Sequence, residues 1–317
     1  MRLVAFSIAG LLAGCTIAYP EPMPMAPPVQ AIGAIPPQPF PGGPAEQATA
    51  AALARIATLN PALHAVIATD PTAMDQARRV DSSGLTGPLA GQPVLIKDNI
   101  EAIGPMPTTA GSLALANNVT NRDAPLVARL RQAGAIVLGK TNLSEWANIR
   151  STASISGWSA VGGQTRNPWA LDRNPCGSSS GSGSAVAAGM VQFAIGTETD
   201  GSVTCPASIN GIVGLKPTVG LVSRTFIVPI SHSQDTAGPM TDSVRHAAEL
   251  LRHRRKRSGR PCHRGGGQAQ DRLCSTAGCR LAQGQTHRCA ALCVECAAEP
   301  DFRGRAIGAA QARRRPR

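Results

Sequence analysis

The chain has 317 residues, of which 43% are hydrophobic and 3% aromatic, so it can build one large or two ordinary domains around an aliphatic core. Its formal net charge of +12 lies at one end, because residues 1–251 contain 15 basic and 15 acidic residues whereas residues 252–317 contain 16 and 4. The neutral part therefore gives no electrostatic reason to expect nucleic-acid binding by the folded region.

The first residues have the composition of an export signal. The stretch "MRLVAFSIAGLLAGC" has a single Arg2, an apolar run that ends at Leu12 and is too short to span a bilayer, and small residues up to Cys15. We predict a signal peptide or lipoprotein signal over residues 1–18. The last four residues of the stretch resemble a lipobox, which makes Cys15 a candidate for membrane attachment. The protein would then be periplasmic or a membrane-anchored lipoprotein, and cytoplasmic if the start codon is misassigned.

A Pro-rich linker is predicted over residues 19–44, and alternating helical and strand-like segments predict an α/β fold over residues 45–251. The helical segments are "AEQATAAALARIATLN", "PTAMDQARRV" and "DAPLVARLRQAG". In the third, Leu126, Val127, Leu130 and Ala133 share one face, and Asp123 is the expected N-cap. The strand-like runs are Pro93–Ile96, 135–138, Val191–Ile195 and "GIVGLKPT".

The stretch "GAIVLGKT" fits the phosphate-loop pattern G-x-x-x-x-G-K-[ST]. Its four variable residues form an apolar run that predicts a strand, whereas a phosphate loop needs loop backbone at those positions. We therefore interpret Gly134 as the cap of the preceding helix and Gly139 as the turn out of the strand, with a helix beginning at Thr141 or Asn142. Lys140 is then structural, and no nucleotide is expected beside it.

The glycine-serine stretch "CGSSSGSGSAVAAG" opens into an Ala/Val helical pattern and is followed by a strand-like run. Its position between core elements distinguishes it from a flexible linker, and N–H groups at a helix N-terminus favour negative charge. Residues 177–181 also fit the G-x-S-x-G nucleophile elbow, with Ser179 as nucleophile. That alternative requires a preceding strand, and "TRNPWALDRNPC" with its two prolines is a poor one. It also requires a late histidine, such as His232 or His246.

Several motifs in order resemble the amidase signature family: "GQPVLIKDNI", "TTAGSLAL", "DAPLVARLRQAGAIVLGKTNLSEWAN", the serine tract and "GTETDGSVTCPASINGIVGLKPT". The resemblance covers about residues 45–251. With "VGLVSRTFIVPISHSQDTAGPM", the motifs are most similar to the peptide amidase branch. The resemblance implies an amidase signature fold, with a mixed central β-sheet flanked by helices, that is incomplete because the family's C-terminal part is missing.

The family uses a Ser-Ser-Lys triad, which the resemblance places at Lys97, Ser178 and Ser202. Lys97 would be the base, Ser178 the bridging serine on a cis peptide bond, and Ser202 the nucleophile. Ser178 Oγ should then lie within hydrogen-bond reach of Lys97 Nζ and of Ser202 Oγ. The oxyanion hole would comprise Thr199, Asp200, Gly201 and Ser202. One departure is Thr204, where many members have Arg.

The expected substrate is a small-molecule or peptide amide, cleaved at its C–N bond without a cofactor or a metal. Lysine can serve as the base only if burial lowers its pKa toward neutrality, and the apolar strand before Lys97 suits this requirement. The oligomeric state is left open.

Cys176 and Cys205 flank the two serines, two residues before Ser178 and three after Ser202. We interpret them as small buried residues that shape the pocket, with a disulfide as the alternative in an exported protein.

The basic, Cys/Arg-rich segment 252–317 is interpreted as out of frame and disordered, because hydrophobic periodicity ends at about Leu251. A zinc site around "CVEC" and a basic functional tail are the alternatives. The chain as written should then be poorly soluble and should hydrolyse amides no faster than its Ser202→Ala variant. The second hypothesis is a non-catalytic amidase remnant whose basic tail binds anionic polymer or membrane.

Overall fold

A computed structural model describes residues 41–252. The predicted signal with Cys15, most of the linker and all but the first residue of the basic segment lie outside the described residues. The helices are α1 (Pro44–Leu63), α2 (Ala73–Ser83), α3 (Pro125–Gln132), α4 (Ser180–Ala187), α5 (Thr204–Asn210) and α6 (Val244–Arg252). The strands are β1 (Val66–Thr69), β2 (Pro93–Lys97), β3 (Ile136–Thr141), β4 (Trp158–Ser159), β5 (Gly163–Gln164), β6 (Phe193–Glu198), β7 (Val213–Gly214) and β8 (Thr236–Thr241).

Six strands form one sheet in the order β1-β3-β2-β6-β8-β7, and β4 pairs with β5 separately. The central strand β2 is parallel to both β3 and β6, whereas β1, β8 and β7 join the sheet antiparallel to their neighbours. The carboxyl ends of β2 and β6 therefore lie side by side, which brings the ends of two distant segments to the same edge of the sheet.

Helices cover both faces of the sheet. Along β2, Leu95 packs on the face covered by α1, α2, α4 and α5, whereas Val94 and Ile96 pack on the opposite face with α3 and α6. Successive side chains of a strand point to opposite faces, so an unbroken apolar run is what a strand buried on both sides requires. The predicted α/β fold with a mixed sheet flanked by helices is confirmed.

Two predicted boundaries are wrong. Strand β3 continues to Thr141, and the next element is a short 3-10 turn over Glu145–Asn148 instead of a helix at Thr141. Gly139 is a strand residue, and a Cβ there would lie 2.3 Å from Ala68 O, so glycine permits the close approach of β1.

The predicted cap of α3 is also wrong, because Ala124 occupies the N-cap position. The carboxylate of Asp123 instead accepts a hydrogen bond from Ile103 N at 2.7 Å and lies 3.3 Å from Arg131 Nε. Asp123 therefore joins a loop to α3 and does not cap the helix.

An apolar groove of about 420 Å³, including its open side, lies between α3 and α6, over one face of β6 and β8. It is lined mainly by aliphatic side chains, among them Leu126, Ile195, Val222 and Leu250. Across residues 41–252, no helix combines the length and the apolar character that crossing a membrane requires.

Candidate active site

Lys97 is the last residue of β2, and its side chain is fully buried. Its Nζ atom lies 2.7 Å from Ser178 Oγ, 3.0 Å from Ser179 Oγ and 2.9 Å from Thr197 Oγ1. The oxygens around the amine thus belong to neutral groups of the serine-rich segment and of β6: these three hydroxyls and, at 3.3 Å, the backbone carbonyl of Thr197.

The surroundings of Lys97 favour its neutral form. Burial lowers the pKa of Lys97 from 10.5 to about 7, while the negative charges of Glu198 and Asp235 act in the opposite direction. A large fraction of this side chain is therefore unprotonated near neutral pH, as a lysine must be in order to accept a proton.

Ser178 lies in the serine-rich segment just before α4. Its side chain is fully buried, and the peptide bond between Gly177 and Ser178 is cis. The neighbouring Ser179 Oγ donates to Thr197 O at 3.0 Å and accepts from Thr197 N at 3.1 Å, which anchors the segment to β6. Residues 165–176 contain no strand, so the backbone that a nucleophile elbow at Ser179 requires is missing from this part of the chain.

The turn at residues 199–202 connects β6 to α5 and ends at Ser202, whose exposure is 8%. Gly201 has a φ of 77°. Within the described residues, none of the N–H groups of this turn donates to a protein acceptor, whereas the next two N–H groups both donate to Glu198 Oε2, at 2.7 and 2.8 Å. Consecutive unengaged N–H groups in a turn with a positive φ are typical of an anion-binding backbone.

The serine-rich segment and this turn are in direct contact, because Ser179 N donates to Ser202 O at 3.1 Å. The structure has the expected contact between Lys97 Nζ and Ser178 Oγ. The second expected contact, between Ser178 Oγ and Ser202 Oγ, is not among the hydrogen bonds of residues 41–252.

Cys176 and Cys205 form a disulfide, with their Cα atoms 6.0 Å apart. Our preferred interpretation of two unpaired buried cysteines is therefore wrong, and both residues are only partly buried. The bond joins the residue two before Ser178 to helix α5, which begins two residues after Ser202. It links the two serine-bearing segments covalently.

Lys140 is fully buried within β3. Its Nζ atom donates to Ile100 O at 2.6 Å and to Thr108 Oγ1 at 2.8 Å, and lies 3.6 Å from Asp98 Oδ1. Burial lowers the pKa of Lys140 to about 8, and the negative charge of Asp98 opposes this change. The contacts are structural and separate from those of Lys97, as predicted, and the strand backbone at this position excludes a phosphate loop.

A cleft of about 710 Å³, including its open mouth, lies beside the end of β6. Its lining includes Thr197, Glu198 and Thr199, an apolar loop at residues 227–230, and the residues Arg224 and His232. Sequence reasoning missed the two carboxylates at this cleft, Glu198 and Asp235, as well as Thr197. The described residues contain no group of three or more His, Cys, Asp or Glu side chains arranged to hold a metal ion.

Comparisons with known proteins agree with this architecture. The family model described as Amidase matches residues 47–261. A protein of Arabidopsis thaliana named as a probable amidase is 50% identical over 205 residues, which cover 63% of this chain and 40% of that protein. One component of the glutamyl-tRNA(Gln) amidotransferase of Methanosarcina mazei is 46% identical over 179 residues, or 56% of this chain and 36% of the relative.

Among solved structures, the native peptide amidase of Stenotrophomonas maltophilia is 56% identical, with a TM-score of 0.65 over 70% of this chain and 48% of that chain. This chain thus spans less than half the length of each of these relatives. The family match covers most of the described residues, including Lys97, Ser178 and Ser202. The chain therefore belongs to the amidase family.

Proposed function

We propose that this chain cleaves carboxamide C–N bonds through an acyl-enzyme on Ser202. The observation that carries the proposal is a buried lysine with a pKa of about 7, whose amine lies 2.7 Å from Ser178 Oγ. Directly beside this pair lies a turn that ends at Ser202 and has unengaged N–H groups. Nucleophile activation needs a base, and attack on a carbonyl needs donors for the oxyanion.

The mechanism follows from these positions. Neutral Lys97 accepts the proton of Ser178, and Ser178 accepts that of Ser202 as the two hydroxyls come together around the substrate. Ser202 Oγ then bonds to the carbonyl carbon, and the N–H groups of residues 199–202 bind the oxygen that becomes negative. The proton returns through Ser178 to the amide nitrogen, the C–N bond breaks, and water hydrolyses the acyl-enzyme.

A fluorophosphonate probe tests the first half of this reaction. Attack by Ser202 Oγ forms an O–P bond and expels fluoride, while the serine proton passes to the base. Peptide mass spectrometry of the labelled chain should find the adduct on Ser202. The Ser202→Ala variant should carry none, and Ser208→Ala, which changes an exposed serine of α5, should be labelled normally. Labelling of the native chain at another serine, or not at all, would refute the proposal.

For the substrate we propose a peptide with a C-terminal amide. Support comes from the similarity to peptide amidase and from the apolar loop at residues 227–230, which can contact a side chain of the acyl part. A related peptide amidase has been solved with the competitive inhibitor chymostatin. Amidated dipeptides should slow fluorophosphonate labelling of Ser202 at lower concentrations than acetamide or the dipeptide acids do. Equal protection by all three would contradict this specificity.

The second candidate function is a non-catalytic remnant that binds anionic polymer or membrane. Its support is the confinement of the net charge of +12 to residues 252–317. It predicts salt-sensitive retention on heparin that disappears when residues 252–317 are deleted, together with an unlabelled Ser202. Labelling of Ser202 decides between the two.

We also propose export of the protein. The partly exposed disulfide supports this location because such bonds persist mainly in oxidising compartments. Fractionation of cells that express the chain should recover it in the periplasm or the membrane, and a wholly cytoplasmic chain would contradict the proposal.

A further inference from the structure

The sheet register brings Asp235 next to the proposed oxyanion turn. Strands β6 and β8 are antiparallel and pair Glu198 with Thr236. The residues one step beyond this pair are Thr199, where the turn begins, and Asp235, which precedes β8. Their side chains meet, because Thr199 Oγ1 donates to Asp235 Oδ1 at 2.5 Å.

The other carboxylate oxygen of Asp235 binds the backbone of the loop that precedes β8. Asp235 Oδ2 accepts hydrogen bonds from Ile230 N at 2.8 Å and from Ser231 N at 2.9 Å. One side chain thus connects the start of the turn to the backbone of a loop that also lines the cleft.

The far end of the turn has a separate support. Glu198 Oε2 accepts from the two N–H groups that follow Ser202, which fixes the start of α5. With both ends held by carboxylates, the N–H groups of residues 199–202 stay directed away from protein acceptors. Preorganised donors of this kind stabilise an oxyanion without reorganisation during the reaction.

We propose that Asp235 is a positioning residue of the active site, which sets the spacing between the oxyanion-binding turn at residues 199–202 and the loop backbone at residues 230–231. The inference rests on the proposed function, since the turn matters for catalysis only if Ser202 is the nucleophile. Asp235 touches neither Ser202 nor Lys97 through a hydrogen bond and acts through Thr199 and the loop.

Asp235 also contributes to the electrostatics around Lys97. The charged or titratable groups on the neighbouring elements are Glu198 at the end of β6, Asp235 before β8, Lys140 of β3 with its partner Asp98, and Arg224 and His232 of the loop that lines the cleft. Glu198 and Asp235 raise the pKa of Lys97, so removal of the Asp235 charge should lower that pKa. Removal of the Thr199 hydroxyl breaks the same contact but leaves the charge in place.

The two substitutions therefore distinguish the positioning role of Asp235 from the effect of its charge on the pKa of Lys97. The experiment uses the full-length oxidised chain. The rate of Ser202 labelling by a fluorophosphonate is measured from pH 5 to pH 9 in Asp235→Ala, Thr199→Val and the control Asp75→Ala, which removes an exposed carboxylate of α2. We expect Asp235→Ala to be at least about tenfold slower with its pH midpoint moved lower, because a displaced turn binds the oxyanion less well and loss of even one oxyanion donor has effects of about 10²-fold or more. Thr199→Val should be slower with an unchanged midpoint, and Asp75→Ala should match the native chain.

Hydrogen exchange provides a readout that does not depend on Ser202 reactivity. The amides of Ile230 and Ser231 should exchange at least about tenfold faster in Asp235→Ala, because alanine leaves them without a side-chain acceptor. Thr199→Val should leave their exchange unchanged. Native exchange rates in Asp235→Ala, or native labelling rates in both Asp235→Ala and Thr199→Val, would overturn the inference. A native chain that is not labelled refutes the proposed function, and exchange at residues 230 and 231 then decides the role of Asp235 by itself.

Discussion

Substitution of Lys97 by Met should change how the stability of the protein depends on pH. The pKa of Lys97 falls from 10.5 to about 7 on folding. This change corresponds to a free-energy cost of about 5 kcal/mol for burying the ammonium form. Between these values the unfolded chain binds the proton more readily than the folded one. Lys97 therefore makes the free energy of unfolding rise with pH from about 7 to about 10.5, and below pH 7 its unfavourable contribution is present in full.

Methionine removes this contribution but leaves the hydroxyl oxygens around Nζ without their donor, at a cost of about 1–3 kcal/mol at every pH. Lys97→Met should therefore equal or exceed the native chain in stability at pH 6 and should be less stable at pH 10. Urea unfolding followed by tryptophan fluorescence measures both curves, with Lys216→Met as the control for a lysine that is not fully buried. Parallel curves for the native chain and Lys97→Met would refute the argument that burial neutralises this lysine.

Reduction of the Cys176–Cys205 disulfide should destabilise the folded chain by about 3–4 kcal/mol, given the 29-residue separation; urea unfolding with and without dithiothreitol measures this, and a Cys176→Ser/Cys205→Ser variant should not respond to the reductant. Lys140→Met should lower the free energy of unfolding by about 3–5 kcal/mol because it leaves Asp98 buried without its partner. Addition of Asp98→Asn should recover part of that loss, and an additive second loss would contradict the ion-pair account. The 317-residue chain should be poorly soluble, because its open apolar groove favours association.

The elements that sequence could predict are those specified by local pattern. Apolar runs identified β2, β3 and β6, and the spacing of Leu126, Val127 and Leu130 identified the buried face of α3. The pairing of Lys97 with Ser178 could be expected only from the ordered set of motifs, because the two residues lie 81 positions apart and neither is distinctive by itself.

What sequence reasoning missed depends on contacts between distant segments. Gly139 resembles a turn residue, but its role follows from the close approach of β1. The position of Asp235 beside Thr199 follows from the antiparallel register of β6 and β8, which no local pattern encodes. The disulfide required Cys176 and Cys205 to come together across 29 positions, and this happens only when the serine-rich segment packs beside α5.

The central claim is that Lys97, through Ser178, activates Ser202. The most direct test is the rate of Ser202 labelling by a fluorophosphonate as a function of pH. The account predicts a rate that rises with pH around a midpoint of about 7, since only the unprotonated amine of Lys97 can accept the proton. Lys97→Met and Ser178→Ala should each be at least about 100-fold slower, with no such rise. A native rate that does not change from pH 5 to pH 9, or a Lys97→Met variant labelled as fast as the native chain, would contradict the account.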